Sequence, residues 1–449
     1  MSTITTEEPY VAVVDGSLLN SVCSHCFERS EFEKPFKRCN RCKVLHYCSQ
    51  NCQREDWKIH KDECPWLVDV APNVPQSKAR LMGRLLIRRF RGEATSVKAF
   101  NGRCFDDLMD HVDEIRTSSE HLPLFTSLCY GLKLYVGDQF MVGTPELLRY
   151  FGRAVINSFG ITLDDQITVG EGIYLGLSAL NHSCAPDAFV RFHGRKAILR
   201  AADPTIKKFS TQLTIPYTNL DTLASERRST LKKQYFFTCN CRNCLDKDRD
   251  GYARSIICPE CTMGVCLVLD SSKVLTCDKC GAVNAISVDE AIRMNQEVEW
   301  QLEKNKVVAS DTWTNLSSDV QMHKKYVKIL SRYNISLAAL AIRIINLAMS
   351  INRIDVALDH AYFIEYAYKR YLPMGHPMLT WALLTAVLGA SCEDPPSGRV
   401  MVLMGEAQEA CLISHGPTDP VTLRVNEQVR LYRNKIQNYR DKNFVLTAM

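Results

Sequence analysis

Two periods alternate along this chain. In "SKARLMGRLLIRRF" (77–90) and "LPLFTSLCYGLKLYV" (122–136) apolar residues return every three or four positions, which predicts helices through about 66–150. Between about 151 and 220 the pattern shortens to the β-type runs "AFVRF", "AILRA" and "QLTIPY", broken by turn residues; these read as strands of a small irregular sheet. From about 286 onward the helical period returns, most clearly in "ISLAALAIRIINLAMSI" and "VALDHAYFIEYAYKRYL". "YLPMGHPMLTWALL" and "CLISHGPTDPVTLRV" share a helix–turn–helix rhythm around Pro377 and Pro420. That rhythm predicts helix pairs stacked as in tetratricopeptide repeats, with an irregular helical bundle as the alternative. The class is α+β. Two local expectations accompany it. "VGEGIYLG" (169–176) has no strand–helix unit around its glycines, so it reads as a tight turn rather than a dinucleotide fingerprint. The basic run at Arg88, Arg89 and Arg91 reads as the solvated face of a helix.

Composition changes this picture little. The 449 residues are 46% hydrophobic and 23% charged, with a formal net charge of +5, enough chain for two or three domains with a large core. So mild an excess does not argue for a nucleic-acid surface as the main interface. The longest apolar stretch carries Arg343 and Asn346, so no membrane span is expected. The N-terminus lacks the basic head and apolar stretch of a secretory signal.

The 20 cysteines change it a great deal. Without an export signal the expected compartment is reducing, and thiols clustered in pairs there are metal ligands rather than disulfides. The first block, "CSHCFERSEFEKPFKRCNRCKVLHYCSQNCQREDWKIHKDEC", holds two C-x2-C pairs followed by C-x3-C and H-x3-C. The last two spacings put both ligands on one helix face. Eight ligands imply two tetrahedral zinc ions. His25 and His46 fall between ligand positions and read as bystanders. Cys258, Cys261, Cys277 and Cys280 have the form C-x2-C-x15-C-x2-C, a zinc-ribbon spacing with Cys266 in its core. Cys239, Cys241 and Cys244 supply three thiolates, one short of a closed site. Cys184 in "NHSC" (181–184) is the candidate for the fourth.

Taken in order, the first block, "GEGIYLGLSALNHSCAPDA", "LTIPY" and "YFFTCNCRNC" resemble the SET and MYND domain (SMYD) family of protein-lysine methyltransferases, well over about 7–250 and loosely beyond. The resemblance implies an interleaved MYND finger, with Cys23, Cys26, Cys48 and Cys52 on one ion and Cys39, Cys42, His60 and Cys64 on the other. It implies a SET-type irregular β-fold over 151–237, after a remnant of the N-terminal SET segment (1–22), the finger (23–64) and a helical insertion (65–150). A post-SET zinc segment (238–250), the ribbon (256–283) and an all-α, tetratricopeptide-like domain (286–449) follow. Four zinc ions are expected in all.

Carried over by position, Tyr217 is the expected catalytic tyrosine. Tyr235 and Phe159 would line the lysine channel. Asn181, His182, Phe237, Asn157 and His111 would contact S-adenosylmethionine, with Phe237 stacked on its adenine. The family's Gly-x-Gly cofactor loop has no counterpart before Cys23, where Gly16 is the sole glycine. Two functions therefore stay open. One is a methyltransferase acting on a lysine of histones or other proteins, in nucleus and cytoplasm. The other is a catalytically impaired adaptor whose finger binds proline-rich peptides.

Overall fold

A computed structural model describes residues 3–30, 36–163, 167–203, 205–261, 263–271, 273–307, 312–361, 363–390 and 396–447. Two small antiparallel sheets form the β-layer. In the first, Thr168–Ile173 is central, flanked by Val11–Val14 and Ser158–Thr162. In the second, Lys196–Ala201 is central, flanked by Thr3–Glu7 and Ala188–His193. The segment expected as a tight turn is thus the middle of a sheet. Its glycines serve close packing, not chain reversal: a Cβ on Gly170 would lie 2.3 Å from the Val13 carbonyl oxygen. The N-terminal strands are tied to the centre. The Glu7 carboxylate accepts from the backbone N–H groups of Gly176 and Leu177 at 2.8 and 2.9 Å. Of "QLTIPY" only Thr214–Ile215 is strand, paired in parallel with Asn181–His182. Pro216 falls just outside, since it has no N–H to give a ladder.

The helical period resolves as expected. Helices span Ser77–Phe90 and His121–Tyr135. The basic run at the end of the first stays at the surface, with Arg91 exposed and Arg88 and Arg89 half-buried, but each is paired. Arg88 pairs with Glu93 and lies 4.5 Å over the Tyr10 ring; Arg89 pairs with Glu146, and Arg91 with Asp62. Their partners come from other elements, which local periodicity cannot show.

Arg84, on the same helix, fastens the cysteine-rich block. Its guanidinium donates to Asp56 at 3.1 and 3.2 Å and to Glu63 at 2.5–3.2 Å. Both acids lie on the helix Gln50–Val70 and are buried. Tyr47 donates to Asp56 at 2.8 Å, and Glu63 meets His60 Nδ1 at 3.0 Å. The network is closed, so the two buried carboxylates are each paired.

Beyond residue 286 the described residues are helical, and Ile335–Ser350 is the most deeply buried helix. Successive helices pack on one another, as Pro377–Ala390 does on Gly398–Ser414. This layer is clamped to the strands. Arg191 pairs with Asp419 at 2.6 Å, and Arg200 donates to the Ile413 carbonyl at 2.8 Å. The 256–283 module is joined to it by the Ile257 N–H to Ile329 carbonyl bond at 2.7 Å. No described helix is long and apolar enough to cross a membrane.

Replacing Arg84 with Met strands two buried carboxylates and is expected to cost about 3–5 kcal/mol. Denaturant titration of both proteins measures it; a loss below about 1 kcal/mol would show the network to be dispensable.

Candidate functional site: a zinc-tethered aromatic cavity

Sixteen ligand atoms fall into four groups, each with all members within 4.8 Å of one another. They are Cys23, Cys26, Cys48 and Cys52; Cys39, Cys42, His60 and Cys64; Cys184, Cys239, Cys241 and Cys244; and Cys258, Cys261, Cys277 and Cys280. Sulfur–sulfur distances of 3.4 to 3.9 Å recur across them. A tetrahedron of thiolates around zinc has edges of about 3.8 Å, from Zn–S bonds of about 2.3 Å. The donor sets therefore fit zinc, and the chain carries zinc-binding cysteine clusters. In the second group Glu63 holds the His60 ring through Nδ1, leaving Nε2 toward the metal position, 3.7 Å from Cys42 Sγ. His25 and His46 belong to none of the groups.

The third group makes the long-range connection. Cys184 Sγ is 3.4 Å from Cys244 Sγ, and Asn243 donates to the Cys184 carbonyl at 2.7 Å. Arg227, fully buried, reaches Cys244 Sγ at 3.8 Å. A cation there offsets the net negative charge that four thiolates leave around one zinc ion. Arg228 adds bonds to the Cys239 and Cys244 carbonyls at 3.0 and 2.8 Å.

His182 carries this anchor into the cavity wall. Its Nδ1 accepts the backbone N–H of Tyr217 at 3.0 Å, which leaves the proton on Nε2, 3.2 Å from Cys184 Sγ. Burial, aided by Arg227, pushes the imidazole down to about 4, so it is neutral near pH 7. Both ring nitrogens are thereby engaged inside the protein. Contact from His182 to a cofactor is left to its backbone and ring edge.

Tyr217 stands against Tyr235 with ring centroids 4.8 Å apart, and its hydroxyl donates to the Leu180 carbonyl. Burial pushes both phenols up to about 12, so both are neutral hydrogen-bonding groups. With Phe159 they line a cavity of about 400 Å³. Phe159 meets Tyr174 edge-on at 5.7 Å, which holds it upright.

The other expected residues sit around this core. Asn181 is exposed at the parallel strand pair. Phe237 is half-buried, 5.9 Å from the His182 ring. Asn157 is on the cavity wall, with its amide donating to the Met109 and Arg153 carbonyls at 2.9 Å each. His111 faces Glu114 at 3.3 Å and the Phe236 ring at 5.4 Å.

Phe236 was not singled out from the sequence. It caps the helix Ala224–Tyr235 in a left-handed conformation, φ 63°, and so turns the chain between Tyr235 and Phe237. The run "YFF" is its only sequence trace. Asp221 and the C-terminal residues His376 and Met378 also line the cavity. Only the last two depend on contacts between the strands and the distant helical region, which no local pattern displays.

The arrangement defines a multi-zinc protein of mixed helix and strand, with an aromatic cavity hung on one of its metal clusters. The MYND finger family matches residues 23–64. The chain is 26% identical to histone-lysine N-methyltransferase ASHR1 of Arabidopsis thaliana, over 93% of this chain and 88% of that protein. It is 27% identical to histone-lysine N-methyltransferase SMYD1 of Homo sapiens, over 99% of this chain and 87% of that protein. Against Smyd1 of Mus musculus identity is 34%, over 53% of this chain and 50% of that protein. Over most of its length the chain is similar to SMYD-type histone-lysine methyltransferases, and its finger is of the MYND family.

Replacing Cys184 with Ala should lower bound zinc by one ion per chain, measured by elemental analysis of the purified protein. It should also loosen Tyr217, visible as faster amide hydrogen exchange at 214–217. Unchanged zinc content would remove Cys184 from the site.

Proposed function

We propose that this chain is an S-adenosylmethionine-dependent protein-lysine N-methyltransferase acting on histone or other proteins, in nucleus and cytoplasm. The observation that carries the reading is the convergence of Tyr217, Tyr235 and Phe159 on one cavity beside the Cys184 cluster. On this reading 151–237 is a SET core, 1–22 part of its N-terminal segment and 65–150 its helical insertion. Residues 238–250 form the post-SET segment and 256–283 a zinc ribbon. The region 286–449 is a tetratricopeptide-like domain, and four zinc ions are bound. A proline-rich peptide on the finger is a compatible second partner.

Residue by residue, the chemistry is one of placement. Methyl transfer to an amine needs the nitrogen neutral, in line with the methyl–sulfur bond and shielded from water. Aromatic walls admit the lysine stem, and loss of water disfavours its ammonium form, easing proton release. The neutral Tyr217 hydroxyl orients the nitrogen. Its strand-end position is fixed by the bond from its N–H to His182. S-adenosylmethionine would supply the electrophilic methyl group when bound. An exposed amide at Asn181, the aromatic face of Phe237 and the imidazole of His111 suit an amino-acid tail and a purine. With Asn157 and the His182 backbone, these five residues would hold the cofactor.

The test is calorimetric titration with S-adenosylmethionine, with Tyr217→Phe assayed in parallel on histone and peptide substrates. Saturable heat is expected, and the variant should lose about 100-fold in turnover, the order of cost for removing one positioned hydrogen-bonding group. No heat at millimolar cofactor, or equal turnover in the variant, would refute it.

A further inference from the structure

Among the described residues that line the cavity, Asp221 is the only carboxylate, and none is a lysine or arginine. His376 adds no charge near pH 7, because burial pushes its imidazole down to about 4. It accepts the Met378 N–H at Nδ1, 3.1 Å away, with its ring 4.9 Å from Phe189.

Asp221 is half-buried and has no ion-pair partner among the described residues. Among the described residues its own backbone N–H is the only hydrogen-bond donor to its carboxylate. Arg249 and Arg227 act on it without contact. The Arg249 guanidinium donates through one terminal nitrogen to the Leu220 and Tyr371 carbonyls at 2.7 and 2.9 Å. That of Arg227 is bonded to the Thr222 and Asn243 carbonyls. Burial accordingly pushes the Asp221 carboxyl above the ordinary carboxylate range. A half-buried carboxylate that has lost part of its water and holds no ion-pair partner gains from a cation brought to it.

Position decides what kind of cation. Asp221 follows Tyr217 by four residues, so their Cα atoms are at most about 14 Å apart. An extended peptide advances about 3.4 Å per residue, so a side chain near a lysine held at Tyr217 falls within reach of Asp221. The target lysine itself belongs at the aromatic end, between Tyr217 and Tyr235.

We propose that Asp221 is a specificity-determining residue that accepts the cationic side chain of a lysine or arginine flanking the target lysine. The preferred substrates are therefore basic segments with at least two neighbouring cations, not isolated lysines. This rests on the methyltransferase reading only in taking a lysine peptide as the occupant.

The experiment measures fluorescence anisotropy of labelled lysine peptides on the full, zinc-loaded chain. In matched peptides each residue flanking the lysine is, in turn, arginine or its neutral isostere citrulline. At least one position should show tenfold or greater preference for arginine. Asp221→Asn and Asp221→Thr, checked for intact melting, should bring that ratio within twofold of one. Equal affinity for arginine and citrulline in the unmutated chain would overturn the proposal even if both variants misfold. So would a preference that survives in a folded variant. Methyl transfer is followed in the same samples. A binding preference without transfer to any peptide would refute the enzyme and keep this inference. Transfer without a preference would do the reverse.

Discussion

A single metal cluster ties the cavity together, because its four sulfurs come from two distant parts of the chain. Residue 184 lies on the turn that follows the Asn181–His182 strand; 239, 241 and 244 follow the helix Ala224–Tyr235. Bringing such ends together costs loop-closure entropy that rises with the logarithm of loop length. A structural zinc site, with apparent binding free energies of roughly 10–16 kcal/mol, outweighs it. The parallel pairing of Thr214–Ile215 with Asn181–His182 is only two residues long. Two residues of ladder cannot hold a junction between distant segments by themselves. The cluster does so, and His182 passes its position to Tyr217.

This division explains why the zinc ligands were easier to read than the pocket. Thiolate spacing such as C-x2-C is local, and a tetrahedral ion constrains it tightly enough to survive as a pattern. The helices Ser77–Phe90 and His121–Tyr135 were equally legible, since burial of one face imposes the period. The strand at 168–173 was not. Its two glycines look like a turn, yet Gly170 is required because the Val13 carbonyl oxygen lies within 2.3 Å of where its side chain would begin. The ion pairs of Arg88, Arg89 and Arg91 are hidden for a related reason. A sequence shows which residues are charged but not that Glu93, Glu146 and Asp62 come to meet them.

The role of His182 shows the same limit inside a motif. The resemblance placed it at the cofactor, and its neighbours Asn181 and Phe237 leave that open for the backbone. Its ring is occupied with structure: one nitrogen accepts the Tyr217 N–H, and the other turns its N–H to the Cys184 sulfur, which zinc would hold as a thiolate. A hydrogen bond to an ionised partner is worth about twice a neutral one. The imidazole is therefore held rigidly from both sides, and the tyrosine it positions inherits that rigidity.

The cavity has a third wall, made by His376 and Met378 from the helical region. Its geometry depends on how that region sits against the strands, and two arginines settle this. Arg191 and Arg200 are both buried, on adjacent antiparallel strands, and reach Asp419 and the Ile413 carbonyl. A buried ion pair adds little net stability relative to apolar packing, but breaking it is costly. Such contacts favour one docking arrangement more than they strengthen it. The space left between Phe189, Tyr235 and His376 is thus set by strands and helices together. The helical region, although it carries none of the expected catalytic residues, then determines the shape into which a substrate segment must fit.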